Sequence, residues 1–219
     1  MKKIVITGTN RGIGLQLTRR FVERGDTVWA ACRTPSIELE ESGAHVVRGI
    51  DVSDAASVAQ LVAATEGASI DLLINNAGIL LRETLEELDF DSIRQQFEIN
   101  SLGPLRVSAA FSSQMPKGSL VAILTSLMGS MSDNGSGGRY GYRMSKAAVN
   151  SAGVSLSHDL RPKGIGVLLL HPGMVATEMT GGRGIPIGES VDGLISLLDN
   201  YDADQSGRFF HSDGRELPW

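Results

Sequence analysis

The stretch Tyr140-Gly-Tyr-Arg-Met-Ser-Lys146 carries two of the chain's three tyrosines, followed by a lysine. A phenol beside an ammonium can exchange a proton, because the cation stabilises the phenolate. A helix turns about 100° per residue, so positions 142 and 146 stack on one face while 140 points away from 146. The pair that could work together is therefore Tyr142 and Lys146. A free tyrosine has a pKa near ~10, too high for efficient proton exchange at neutral pH. An ammonium about 4 Å away, at an effective dielectric of ~20, is worth roughly 4 kcal/mol and could lower that pKa by up to about 3 units. The expectation is a Tyr142 phenol brought toward neutrality by Lys146. Tyr and Lys at this spacing also occur by chance on many helix faces, so the pair needs partners.

A second chemical feature lies near the start. Thr7-Gly-Thr-Asn-Arg-Gly-Ile-Gly14 follows an apolar run and precedes a helical stretch. Glycines at 8, 12 and 14 permit a tight turn and a close approach of backbone to a ligand. The helix start behind them offers free N–H groups and a positive dipole end to a pyrophosphate. The spacing is G-x-x-x-G-x-G. In a dinucleotide site the end of the second strand meets the adenosine ribose, where an acid binds a free 2′-hydroxyl and an arginine a 2′-phosphate. Here the chain reads Ala30-Ala-Cys-Arg33 with no acid at the turn, and Arg11 lies inside the glycine loop. Either arginine could be a solvated surface charge; falling together on one pocket, they favour NADP over NAD. Cys32 reads as a small buried apolar residue. The four histidines show no metal-ligand spacing, so no metal site is expected.

These groups need a scaffold. Short aliphatic runs at 3–7, 27–32, 45–49, 71–75, 119–124, 166–170 and 207–211 alternate with helical stretches at 12–24, 54–66, 89–115, 141–161 and 189–200. Buried strands alternating with helices predict an α/β fold: a doubly wound parallel sheet of Rossmann type, with ligands beyond the strands' carboxyl ends. Glycine-rich stretches at 129–141 and 181–188 read as loops. No linker or repeat divides the chain, so residues 1–219 are expected to form a single domain. A net charge of -5 argues against nucleic acid or an anionic membrane as partner. The lone cysteine fits a reducing compartment, and no apolar run is long enough for a signal-peptide core or a span. A cytoplasmic location is expected.

With its motifs taken together, the chain resembles the short-chain dehydrogenase/reductase family. The glycine loop carries the resemblance, with Asp51-Val52, Asn75-Asn-Ala-Gly78, Asn100, Ser126, Tyr142-x-x-x-Lys146, and Pro172-Gly173 followed by Val175 and Thr177. The motifs arrive in the family's order across essentially the whole chain. Residues 126–150 and 207–219 are similar to the subgroup of sniffer-type carbonyl reductases and bacterial C-factor. The glycine-rich insertion at 133–139, shared with that subgroup, lengthens the gap between serine and tyrosine. Ser130 would shorten it, but Ser126 is preferred because Thr125-Ser126 directly follows a strand.

The resemblance implies that Ser126, Tyr142, Lys146 and Asn100 are catalytic. Ser126 would hydrogen-bond the substrate oxygen, and Asn100 would hold a water that passes protons to Lys146. It also implies that Gly8, Asn10, Arg11, Gly12 and Ile13 hold the cofactor phosphates and Arg33 the 2′-phosphate. Asp51 and Val52 would contact adenine, Asn76, Ala77 and Gly78 line the adenosine, and Val175 and Thr177 meet the nicotinamide amide. Lys146 would also bind ribose hydroxyls. Asn76 could equally tie neighbouring strands together, and Pro172-Gly173 could be only a turn. Tyr140 would pack a loop or line the entrance.

The leading expectation is thus an NADP(H)-dependent reductase of small aldehydes or ketones, or the reverse alcohol dehydrogenase. A homodimer or homotetramer through the helices at 89–115 and 141–161 is what the family implies. The alternative is a cofactor-binding signalling or scaffold protein of C-factor type with secondary redox activity. A scaffold has no need of all four catalytic groups. An epimerase or dehydratase of a nucleotide sugar would need a larger C-terminal substrate region. The segment 178–190, with glycines at 181, 182, 184 and 188, is expected to be a short mobile lid over an open site. Met174, Met179 and Leu127 would favour apolar or aromatic substrates.

Overall fold

Each aliphatic run becomes a strand because its alternate side chains find apolar cover on both faces of one sheet. A computed structural model describes residues 1–219. The strands are β1 Lys3–Thr7, β2 Thr27–Ala31, β3 His45–Val47, β4 Leu72–Asn75, β5 Leu120–Leu124, β6 Gly166–His171 and β7 Phe209–His211. All pairings are parallel, in the order β3-β2-β1-β4-β5-β6-β7. The helices are α1 Gly12–Glu23, α2 Ile37–Glu40, α3 Ala55–Ala64, α4 Phe90–Phe97, α5 Gly103–Phe111, α6 Tyr140–Leu160 and α7 Ile187–Asp199. The expected doubly wound, Rossmann-type sheet is present.

The period of two within the strands splits the core into two layers. Ile4, Ile6, Leu120, Ala122 and Leu124 face α1 and α7, where Leu17, Phe21, Leu194 and Leu198 cover them. Val5, Val121 and Ile123 face the other way, onto Leu61 of α3, Phe111 of α5 and Val149 of α6. From β1 the chain winds outward through β2 to β3, then crosses back to place β4 on the other side of β1. That reversal opens a crevice beyond the carboxyl ends of β1 and β4, the usual ligand position in such sheets.

Three expectations need correction. The helix expected over 89–115 is not continuous: a π-turn, Glu98–Leu102, separates α4 from α5. The π-turn admits one extra residue, and Asn100 sits inside it, fully buried. Next, α7 begins at Ile187, so Gly188 lies within a helix and is no hinge. The lid ahead of it is laced to the preceding segment: Ile185 N–H donates to Met174 O (2.8 Å) and Ala176 N–H to Ile185 O (2.9 Å). Finally, α2 was not anticipated; Ser36 caps it by accepting from Leu39 N–H, and it buries Leu39.

Candidate active site

Helix α6 carries Tyr142 and Lys146 on one buried face, 8% and 5% exposed. Tyr140, at the first position of the helix, lies outside that face and is half-buried. A short 3-10 turn, Leu127–Gly129, follows β5 and presses on α6 at this level. A Cβ added at Gly129 would lie 2.7 Å from the carbonyl carbon of Lys146, so only glycine lets the turn come so close. The turn is capped by Ser126, whose Oγ accepts from Met128 N–H at 3.1 Å. The same hydroxyl faces the Tyr142 phenol. Ser130 is also buried, but its Oγ accepts from Asp133 N–H at 3.3 Å and serves the insertion loop. The structure thus brings together Ser126, Tyr142 and Lys146.

The electrostatics differ from the sequence-based expectation. Burial holds the Tyr142 phenol above a tyrosine's ordinary pKa, and its contact with Ser126 pulls only partly the other way. Lys146 Nζ lies 5.8 Å from the ring centroid and donates to Leu124 O at 2.9 Å. Both groups are out of water, and desolvation is the largest cause acting on each. Burial also brings the Lys146 ammonium down to about 8. An unfolded lysine keeps its proton to about 10.5, so between those values the unfolded chain binds more protons and stability rises with pH. Below pH 8 the buried charge costs about 3 kcal/mol. Lys146→Met is therefore expected to stabilise the nucleotide-free protein at pH 7 by up to about 3 kcal/mol, a gain that fades above pH 8. Denaturant unfolding at pH 7 and pH 10 measures it, and an unchanged or lower stability at pH 7 would contradict the buried charge.

Asn100 reaches this cluster from the π-turn. Its Oδ1 accepts from Ile79 N–H (2.8 Å), and its Nδ2 donates to Ile79 O (2.8 Å) and Ser145 Oγ (3.1 Å). Both amide N–H groups are used, leaving only the second lone pair of Oδ1 for a water. Asn76 does what its strand-tying alternative expected: Nδ2 donates to Thr7 O and Gly8 O at 3.0 and 2.8 Å. Ala77 N–H adds a bond to Thr7 Oγ1 at 3.1 Å. His171 ends β6, with its ring edge-on to that of His211. Burial first, then the charges nearby, bring it down to about 3, so it is neutral.

The crevice beside this cluster has the parts of an anion site. A Cβ at Gly14 would lie 2.3 Å from Gly8 O, so glycine is required for the loop to close on itself. Arg11 is the N-cap of α1 but gives no side-chain cap, and the first turn carries no acid. The N–H groups around Gly12 and Ile13 are therefore open to a ligand. Asn10 precedes them in the same loop. Arg11 pairs with Glu178 from the segment after β6, an exposed pair of little intrinsic worth. Thr177 stands near the loop: a Cβ at Gly12 would meet its Cγ2 at 3.6 Å. Val175 is buried and bridges to Ile185.

Further along, Arg33 and Asp51 line a cleft of about 340 Å³ with Ser53, Arg94, Gln95, Glu98 and Ile99. Ser53 binds Asp51 through N–H and Oγ at 2.9 and 2.6 Å. Those bonds, then Arg33 and Arg106, hold the Asp51 carboxyl below its usual range. Val52 is buried against Gly103, and its carbonyl accepts from Arg106 at 2.7 Å. The wall from α4 and the π-turn was missed in the sequence, although Arg94, Gln95, Glu98 and Ile99 recur at helical spacing. No cluster of His, Cys, Asp or Glu suited to a metal is present. No helix is long and apolar enough to cross a membrane.

Residues 2–185 match the family model described as short chain dehydrogenase. The chain belongs to the short-chain dehydrogenase/reductase family. It is 42% identical to 1-hydroxy-2-glutathionyl-2-methyl-3-butene dehydrogenase of Rhodococcus sp. (strain AD45), covering 100% of both chains. It is 47% identical to the C-signal of Myxococcus xanthus over 68% of this chain and 93% of that one. Among solved structures it is similar to the NADPH-bound carbonyl reductase from chicken fatty liver: TM-score 0.91, 29% identity, 100% of this chain and 99% of that one. The C-signal and the carbonyl reductase match the subgroup to which residues 126–150 and 207–219 pointed.

Proposed function

We propose that this family member is an NADPH-dependent reductase of small aldehydes and ketones. The observation that carries the reading is the burial of Ser126, Tyr142 and Lys146 in one cluster beside the uncapped, acid-free start of α1. Open N–H groups at that helix start suit a pyrophosphate, and Arg33, which shares its cleft with Asp51 but forms no salt bridge with it, suits a 2′-phosphate. The donor set therefore fits NADP(H), with Ala77 and Gly78 along the adenosine and Val175 and Thr177 toward the nicotinamide amide. When bound, the nicotinamide supplies the hydride.

The chain's own residues handle the oxygen. Ser126 donates a hydrogen bond to the substrate carbonyl, where negative charge grows. Tyr142 gives that oxygen its proton; a phenol held above its ordinary pKa stays protonated at neutral pH. Lys146 returns a proton to the phenol and orients the ribose, while Asn100 braces the turn at Ile79 against α6. Met174 and Met179, both exposed on the segment after β6, would favour apolar or aromatic carbonyls.

Consumption of NADPH and NADH across a panel of aldehydes, ketones and quinones tests this. Turnover with NADPH is expected, spread over several small carbonyls. Arg33→Ala should weaken NADPH binding by about 1.5–3 kcal/mol, the range for a hydrogen bond to a charged group, and hardly change NADH. Equal losses in a titration of both cofactors would remove Arg33 from the phosphate pocket.

A further inference from the structure

Helix α6 starts without a side-chain cap of its own. Its N-cap, Arg139, is held at φ 50, and no side chain of the helix or its N-cap satisfies the first N–H groups. The missing acceptor comes from across the site. Glu83, 3% exposed, accepts from Gly141 N–H through Oε2 at 3.3 Å, one residue before Tyr142. Its Oε1 accepts from Ser92 Oγ at 2.8 Å and from Gln96 Nε2, both on α4. Its backbone carbonyl accepts from Arg139 N–H at 3.0 Å. A buried carboxylate is costly unless fully bonded, and every partner here is an uncharged donor or a helix N-terminus.

Glu83 is the last rung of a ladder. Asn100, Gln96 and Ser92 lie four residues apart on one helix face and bind residues 79, 81 and 83 of the extended segment after β4. Leu81 N–H donates to Gln96 Oε1 at 3.0 Å. Four helical residues rise about 6 Å and two extended residues about 6.6 Å, so three rungs stay in step. The ladder links the π-turn to the start of the helix that bears Tyr142.

We propose that Glu83 is a positioning residue for Tyr142: its carboxylate caps α6 from the opposite wall and fixes where the phenol stands. Only a carboxylate offers two acceptor oxygens in this direction; a carboxamide has one and must leave either α4 or Gly141 unpaired. Its negative charge also opposes the positive end of the α6 dipole, which would otherwise favour the phenolate. The other charged or titratable residues at this end of the helix are Arg139, Tyr140 and Arg143, with Arg82 next to Glu83 on the extended segment and Lys146 one turn beyond Tyr142. From α4 and the turn after β5 come the uncharged Ser92, Gln96 and Ser126, while Asp91 and Arg94 pair with each other in solvent.

The inference rests on the proposed reductase reading, and two variants test it. Glu83→Gln removes the charge and one acceptor. Gly141→Ala keeps the charge but places a Cβ 2.5 Å from Gln96 Nε2 and 3.0 Å from Glu83 Oε1, forcing the cap open. Both are expected to lower kcat about tenfold or more, with the NADPH Kd within about twofold of wild type. A tyrosinate absorbance titration, taken as the difference between each protein and its Tyr142→Phe counterpart, isolates the phenol. In Glu83→Gln it should move down by about half a pH unit, and in Gly141→Ala it should stay. The proposal is overturned if kcat holds within about twofold in both variants. It is equally overturned if kcat falls and the NADPH Kd rises together with a loss of thermal stability while the titration stays put. Should Glu83→Gln not fold, Gly141→Ala decides through kcat and Kd. If the wild type reduces no carbonyl, the reductase reading fails by itself and the phenol titration still judges Glu83.

Discussion

Tyr142→Phe is expected to abolish nearly all turnover, by about 10²–10⁴-fold or more, while leaving NADPH binding almost intact. The ring is buried, and phenylalanine fills the same volume, so α6 and its packing on β6 stay in place. What disappears is the one acidic proton held against the Ser126 hydroxyl. Burial keeps that phenol protonated at neutral pH, the form a reduction consumes. Tyr140→Phe should be mild, because position 140 lies off the Lys146 face. Steady-state rates of the two variants beside a titration of NADPH decide it. Equal losses, or a larger loss at 140, would contradict the helical-face argument.

The second large effect is expected at Ser126. Removing one donor to a developing oxyanion costs about 10²–10³ in kcat, and Ser126→Ala should fall in that range. Ser130→Ala should cost far less, because its hydroxyl is engaged with Asp133 N–H in the insertion loop. The glycine-rich insertion lengthens the path to Tyr142, but it comes after the 3-10 turn that Ser126 caps, and that turn already packs against α6 at Lys146. A reversed ranking of the two variants would show that Ser130 acts instead.

The sheet and its crevice were legible because the strands are buried on both faces and read as near-continuous aliphatic runs. The glycine loop was legible because Gly8 and Gly14 meet backbone where no Cβ fits. The π-turn was not, since Phe97-Glu-Ile-Asn-Ser-Leu102 carries nothing that forbids an ordinary helix; the break is set by tertiary bonds from Asn100 to Ile79 and Ser145. Glu83 was invisible for a related reason. A glutamate shortly after a strand reads as solvated until the donors of α4 and α6 are seen around it. The acidity of Tyr142 was misjudged because spacing gives the neighbour's charge but neither group's desolvation, nor the Leu124 carbonyl that engages Lys146.

The strand order has a bearing on how the chain assembles. Every pairing in the sheet is parallel, so no two neighbours can form as a hairpin, and β1 must wait for residue 72 before β4 can join it. Such non-local pairing makes folding slow. The walls of the nucleotide crevice, from Gly8 to Gly78, leave the ribosome well ahead of Tyr142 and Lys146. The outer edge of β6 stays unpaired until Phe209–His211, some forty residues later, arrives as β7. An open strand edge of this kind invites pairing with other chains. The vulnerable interval in this protein's synthesis is therefore the stretch between β6 and β7, and the pairing of β7 closes it.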